Sequence, residues 1–75
     1  MEKAIVLVNI FPSHMEKVLQ DMKKIASVER ANMVYGVYDI FAIIHAKTTS
    51  KLSEVVLRIR KNDHVESITT MKIVA

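Results

Sequence analysis

The only glycine of the sequence, Gly36, stands near its middle between two apolar runs rich in strand-forming residues. A lone glycine in that setting supplies a positive φ or a close backbone approach. It therefore marks a hairpin joining strands over 28–35 and 38–46. Upstream, residues 4–11 are dense in β-branched side chains and end at Pro12, which cannot donate to a ladder and closes the first strand. Ser13 followed by Glu16 reads as a capping box. Met15, Val18, Leu19, Met22, Ile25 and Ala26 then recur at helical spacing, which predicts a helix over 14–26. Downstream, a second helical stripe runs through Leu52, Val55, Val56 and Ile59, with Thr49 or Ser50 as its cap and Glu54 placed four residues before Arg58. That stripe stops at Lys61-Asn62-Asp63, where an asparagine suits a left-handed cap. A last strand covers 65–74.

The order strand, helix, strand, strand, helix, strand predicts an α+β, ferredoxin-like βαββαβ sandwich: a four-stranded antiparallel sheet with two helices on one face. One domain over 1–75 accounts for the whole sequence. A sheet covered on one side should alternate apolar and polar residues. These strands do not, since Ile5, Leu7 and Phe11 oppose Ala4, Val6, Val8 and Ile10, and Phe41 and Ile43 oppose Ile40, Ala42 and Ile44. The helix-free face is thus too apolar for a monomer, and a domain this small is marginal without added support. With no cysteine, neither disulfides nor thiolate metal sites can supply it. A homodimer packed through the sheet faces, of the dimeric α+β barrel type, is the expectation.

The net charge of +3 is a mild basic bias. Lys17, Lys23 and Lys24, with Lys51, Arg58, Arg60 and Lys61, read as solvated helix faces because no stacking series of aromatics accompanies them. No direct nucleic-acid contact is expected. Neither a membrane-length apolar run nor a signal peptide is visible, so a cytoplasmic location is expected.

No phosphate loop, dinucleotide fingerprint or nucleophile elbow is present, so neither a catalytic set nor a cofactor is assigned. His14, His45 and His64 share no ligand spacing; with strands one and three taken as parallel and strand four running against them, all three are expected along the same edge of the sheet. They are read as exposed loop residues, not as a metal site. Asp39 enters an apolar strand directly after the turn, where its carboxylate can take hydrogen bonds from turn amides or from a ligand amine. Tyr35 and Tyr38 flank the same turn. Thr69 and Thr70 are ordinary strand formers whose hydroxyls can meet a ligand carboxylate.

The segment Val34-Tyr35-Gly36-Val37-Tyr38-Asp39-Ile40-Phe41-Ala42-Ile43 resembles the turn signature of the effector-binding (RAM) domain of the Lrp/AsnC transcriptional regulators, and Val65 through Val74 looks like that domain's closing strand. The match spans essentially the whole chain. The family joins this domain to a DNA-binding helix-turn-helix; the chain starts at the first strand, so it looks like a stand-alone version. The resemblance implies dimers that assemble further, and an amino-acid effector held between dimers by Tyr35, Gly36, Val37, Tyr38 and Asp39 with Thr69 and Thr70. It also makes full-length regulators of the family possible partners. Where the family often has glycine before the valine of strands two and four, this chain has Ser27-Val28 and His64-Val65, both expected at the edge opposite the signature turn. Two other classes remain open from the residues: a small dimeric α+β barrel enzyme using a histidine or Asp39, and a purely structural oligomerisation module.

Overall fold

A computed structural model of the chain describes residues 1–74. Its elements are β1 (Glu2–Ile10), α1 (Met15–Lys23), β2 (Val28–Met33), β3 (Ile40–Ala46), α2 (Thr49–Arg60) and β4 (Val65–Ile73). The strands form one sheet in the order β2-β3-β1-β4, every neighbouring pair antiparallel. This is the expected α+β, ferredoxin-like architecture, with one correction. β1 and β3 are antiparallel, pairing Glu2 with Ala46 and Val8 with Ile40.

Period two along β1 and β3 sorts their side chains. Ala4, Val6, Val8 and Ile10, together with Ile40, Ala42, Ile44 and Ala46, are buried against Val18, Leu19 and Met22 of α1 and Leu52, Val55 and Ile59 of α2. Both helices therefore cover the same face. Burial of each such side chain stabilises the fold by about 1.5–3 kcal/mol before chain entropy is counted. The residues between them face the other way, where Ile5 opposes Ile43 and Met71, and Leu7 opposes Phe41. Ile5, Leu7, Phe41 and Ile43 stay half-buried on this helix-free face, and Met71 and Ile73 are exposed.

Several local expectations shift. α1 is shorter than 14–26, and Ile25 is buried in the turn that follows it. No capping box forms: His14 is the N-cap without a side-chain hydrogen bond, and Ser13 lies one residue before it at φ +81°, in the left-handed region. At α2 the cap is Thr48, one residue earlier than expected, its hydroxyl accepting from the Lys51 amide at 3.1 Å. Glu54 pairs with Lys51 at 3.6 Å instead of Arg58. α2 ends with Lys61 in the right-handed region, and Asn62 is not left-handed. Its side-chain Nδ2 instead donates to Asp21 Oδ2 at 3.0 Å, while its side-chain oxygen accepts from the His64 backbone amide at 3.0 Å.

Candidate functional site at the β2–β3 connection

β2 ends at Met33 and β3 begins only at Ile40, leaving residues 34–39 as a longer connection in place of a tight turn. Its base is closed by the Val34 amide donating to the Asp39 carbonyl at 2.9 Å. Asp39 then fixes this connection to β1. The Asp39 amide still donates to the Val8 carbonyl at 2.9 Å, extending the ladder one step beyond Val8 and Ile40. Beyond that point the backbone peels away, and the Ile10 amide finds its acceptor in the Asp39 side chain, at 2.8 Å from Oδ2. A buried amide left without a partner costs about 1–3 kcal/mol, so the carboxylate stands in for a missing strand carbonyl. The sequence reading anticipated an aspartate tying up backbone amides here, but not that the amide belongs to β1.

Gly36 adopts φ +146°, and a Cβ built there would meet nothing within 4 Å. Backbone conformation, not space, is what calls for glycine. The connection carries Tyr35 and Val37 outward, 106 % and 83 % exposed, beside exposed Met33 and Val34. Tyr38 and Asp39 are half-buried at its return. Phe11, 47 % exposed, leaves β1 at the same end of the sheet, its amide donating to the His64 carbonyl at 3.0 Å. Phe11, Met33, Val34, Tyr35 and Val37 thus offer apolar side chains to solvent at this end.

Thr69 and Thr70 lie on β4, opposite Leu7 and Val6. Consecutive strand residues face opposite ways, so Thr69 shares the helix-free face and Thr70 the helix-bearing side. β4 and the connection flank the sheet on opposite sides of the β3–β1 pair. One chain does not bring them together.

The histidines do not share an edge. His14 and His64 meet at the end that carries the 34–39 connection, their rings stacked with centroids 3.7 Å apart and planes 11° from parallel. His45 opposes Lys3 at the far end, because β3 runs against β1. The same geometry separates Ser27 from His64: Ser27 accepts from the His45 amide at the far end, whereas His64 stands at the signature turn's own end. Among the described residues no three His, Cys, Asp or Glu side chains gather as a metal site would require. At that far end Met1, Ser27, His45, Ala46, Lys47, Thr48 and Lys51 line an open cleft of about 470 Å³. The Ile10–Asp39 bond and the histidine stack had no signal in sequence, since each joins positions far apart in the chain that only the strand register brings together.

No helix is long and apolar enough to cross a membrane among the described residues. Residues 3–74 match the family model of the Lrp/AsnC ligand binding domain. No curated protein matches the chain. Among solved structures, the protein FFRP-DM1 superposes with a TM-score of 0.95 at 24 % identity, covering 99 % of this chain and 100 % of that one. AsnC from E. coli superposes with a TM-score of 0.92 at 17 % identity, over 99 % of this chain and 51 % of its own. The transcriptional regulator NMB0573 from Neisseria meningitidis, solved as an L-Met complex, gives a TM-score of 0.87 at 14 % identity, over 99 % of this chain and 50 % of its own. With nearly every residue matched by the family model and the fold shared with its regulators, this chain belongs to the Lrp/AsnC ligand-binding domain family.

Proposed function

We propose that the chain is a non-catalytic effector-binding and oligomerisation module of the cytoplasm, taking an amino-acid-like ligand at the 34–39 connection between associated copies. The observation that carries this reading is a connection held firmly at its base by Asp39 while Tyr35 and Val37 project from it fully exposed. Asp39 Oδ2 is engaged by Ile10, and no side-chain donor among the described residues takes its other oxygen, which is the atom a ligand amine would meet. Tyr35, Gly36, Val37 and Tyr38 shape the rim. Thr69 or Thr70, standing across the sheet, would come from another copy and meet the ligand carboxylate. That a family relative was solved with L-Met supports an amino acid as the ligand class.

The apolar strip of Ile5, Leu7, Phe41, Ile43, Met71 and Ile73 supports homodimerisation through the helix-free faces. Higher assembly, and mixed assembly with full-length regulators of the family, use what the dimer leaves exposed. Ligand occupancy acts on transcription by favouring one assembly over another, the only way that binding can be linked to assembly.

Thermal unfolding against the twenty amino acids, with light scattering on the same samples, tests the reading. A ligand at a hundredfold its Kd adds about 2.7 kcal/mol, a clear Tm shift for so small a domain. A shift from one or a few amino acids that disappears when Tyr35 and Val37 are replaced by serine is expected. Absence of any shift in a protein that still associates would overturn effector binding by amino acids and leave a structural module.

A further inference from the structure

At the end of the sheet away from the 34–39 connection, a second recess lies beside the cleft around His45 and Lys47. Ile25, Ala26, Glu54, Val55 and Arg58 line it, at about 310 Å³. It shares Ser27, Ala46 and Lys51 with the 470 Å³ cleft, so the two run side by side along α2. The groove exists because nothing bridges it. At the opposite end Asn62 ties the α2–β4 turn to α1 by donating to Asp21 Oδ2, whereas no hydrogen bond among the described residues joins residues 24–27 to α2.

Charge is unevenly placed along this groove. Glu54 is the only acidic side chain among the described residues that line it, and Lys51 takes it at 3.6 Å, so Arg58 is left without the partner that the four-residue spacing offers. Neither Arg58 at one end nor Lys47 at the other enters an ion pair among the described residues. The half-buried His45 ring beside Lys47 can donate an N–H. Between the ends stand the mutually neutralised Lys51 and Glu54 and the apolar surface of Ile25, Ala46 and Val55. Unpaired cations at both ends and a neutral, partly apolar middle complement a molecule with negative ends and a short hydrocarbon between them.

We propose that this groove is a ligand site of its own, for a small dicarboxylate that meets Arg58 with one carboxylate and Lys47 and His45 with the other. Arginine offers a planar fork matched to a carboxylate, and lysine a mobile point charge. The methylene chain lies against Ala46 and the stem of Lys51, where inorganic phosphate, with its charge on one centre, has nothing to place. The inference does not rest on the reading of the 34–39 connection, which lies at the opposite end of the sheet.

NMR titration of the isotope-labelled protein with adipate at constant ionic strength tests it, with hexanoate and inorganic phosphate as comparisons. Saturable shifts are expected at the amides of Ser27, Lys47 and Lys51, and adipate should bind about fivefold more tightly than either comparison. Arg58→Gln and Lys47→Gln should each weaken adipate by about the same factor of five. Both side chains are exposed, so neither change should unfold the domain. Arg60→Gln removes the same charge from the β4 side of α2 and should leave the affinity unchanged. Equal weakening by Arg60→Gln, adipate no tighter than hexanoate or phosphate, shifts confined to residues 34–39, or no saturable binding overturns the inference.

Discussion

Asp39 and Ile10 are joined by a 2.8 Å hydrogen bond from a β1 amide to a carboxylate at the foot of the 34–39 connection. The chain could have ended the β1–β3 ladder at Val8 and Ile40; the aspartate carries it one hydrogen bond further while the backbone departs. Replacing Asp39 with alanine leaves a part-buried amide unpaired and should cost about 1–3 kcal/mol. Asp39→Asn keeps an oxygen acceptor and should lose less than half of that. Thermal unfolding separates the two, since each kcal/mol moves Tm by about 4–8 °C at this size. Equal losses would show that charge, not the hydrogen bond to Ile10, is what matters.

Gly36 offers a different kind of test. Its φ of +146° penalises any side chain, yet nothing lies within 4 Å of the position a Cβ would take. Gly36→Ala and Gly36→Leu should therefore be destabilising by a similar amount, about 1–3 kcal/mol, because strain and not collision sets the cost. Denaturant unfolding of both variants checks this, and a leucine far worse than alanine would mean that the connection packs against something.

Much of this architecture was legible because hydrophobic period reports burial directly. Alternate residues of the two apolar runs, Ala4 to Ile10 and Ile40 to Ala46, and the stripes Val18-Leu19-Met22 and Leu52-Val55-Ile59 are core in the structure. What escaped were features set by direction and by single hydrogen bonds. Taking β1 and β3 as parallel put His45 at the wrong end, although a crossover through α1 followed by the hairpin at Gly36 already turns β3 against β1. Ser13 and Glu16 satisfied the spacing of a capping box, but Ser13 adopts φ +81° in the turn after β1 and His14 is the cap. At the candidate site, the turn and Asp39 were visible because glycine and a carboxylate are rare in apolar strands. That Thr69 and Thr70 face opposite ways across the sheet follows from strand period, yet their distance from the turn required the order β2-β3-β1-β4.

The stacked rings of His14 and His64 fasten the β1–α1 turn to the α2–β4 turn. Offset or edge-to-face aromatic pairs contribute about 0.5–1.5 kcal/mol beyond the area they cover, and this nearly parallel pair lies closer than that preferred geometry. In a double-mutant cycle with His14→Ala and His64→Ala, the coupling should therefore be about 0.5 kcal/mol, the low end of that range. Each single change also releases the Phe11–His64 region, so faster amide exchange is expected at Phe11, whose amide donates to the His64 carbonyl. A coupling near zero would mean that the rings are adjacent without supporting each other.

Glu2 is the group whose titration the fold visibly alters. Its hydrogen bond to Lys72, and then the Lys72 charge itself, hold the Glu2 carboxyl below the ordinary glutamate value. A carboxylate with a folded-state pKa below its unfolded one contributes stability above the unfolded value, and that contribution disappears as pH falls through the folded value. Stability from this pair should accordingly be intact at neutral pH and be lost on acidification below the ordinary glutamate range. Following the Glu2 side-chain carboxyl by NMR should give a depressed midpoint in the unaltered protein and a rise toward the ordinary glutamate value in Lys72→Ala. Lys72→Arg keeps both the charge and a donor and should leave the midpoint low. If removing Lys72 leaves the Glu2 midpoint where it was, the contact that ties the first strand to the last is not formed in solution.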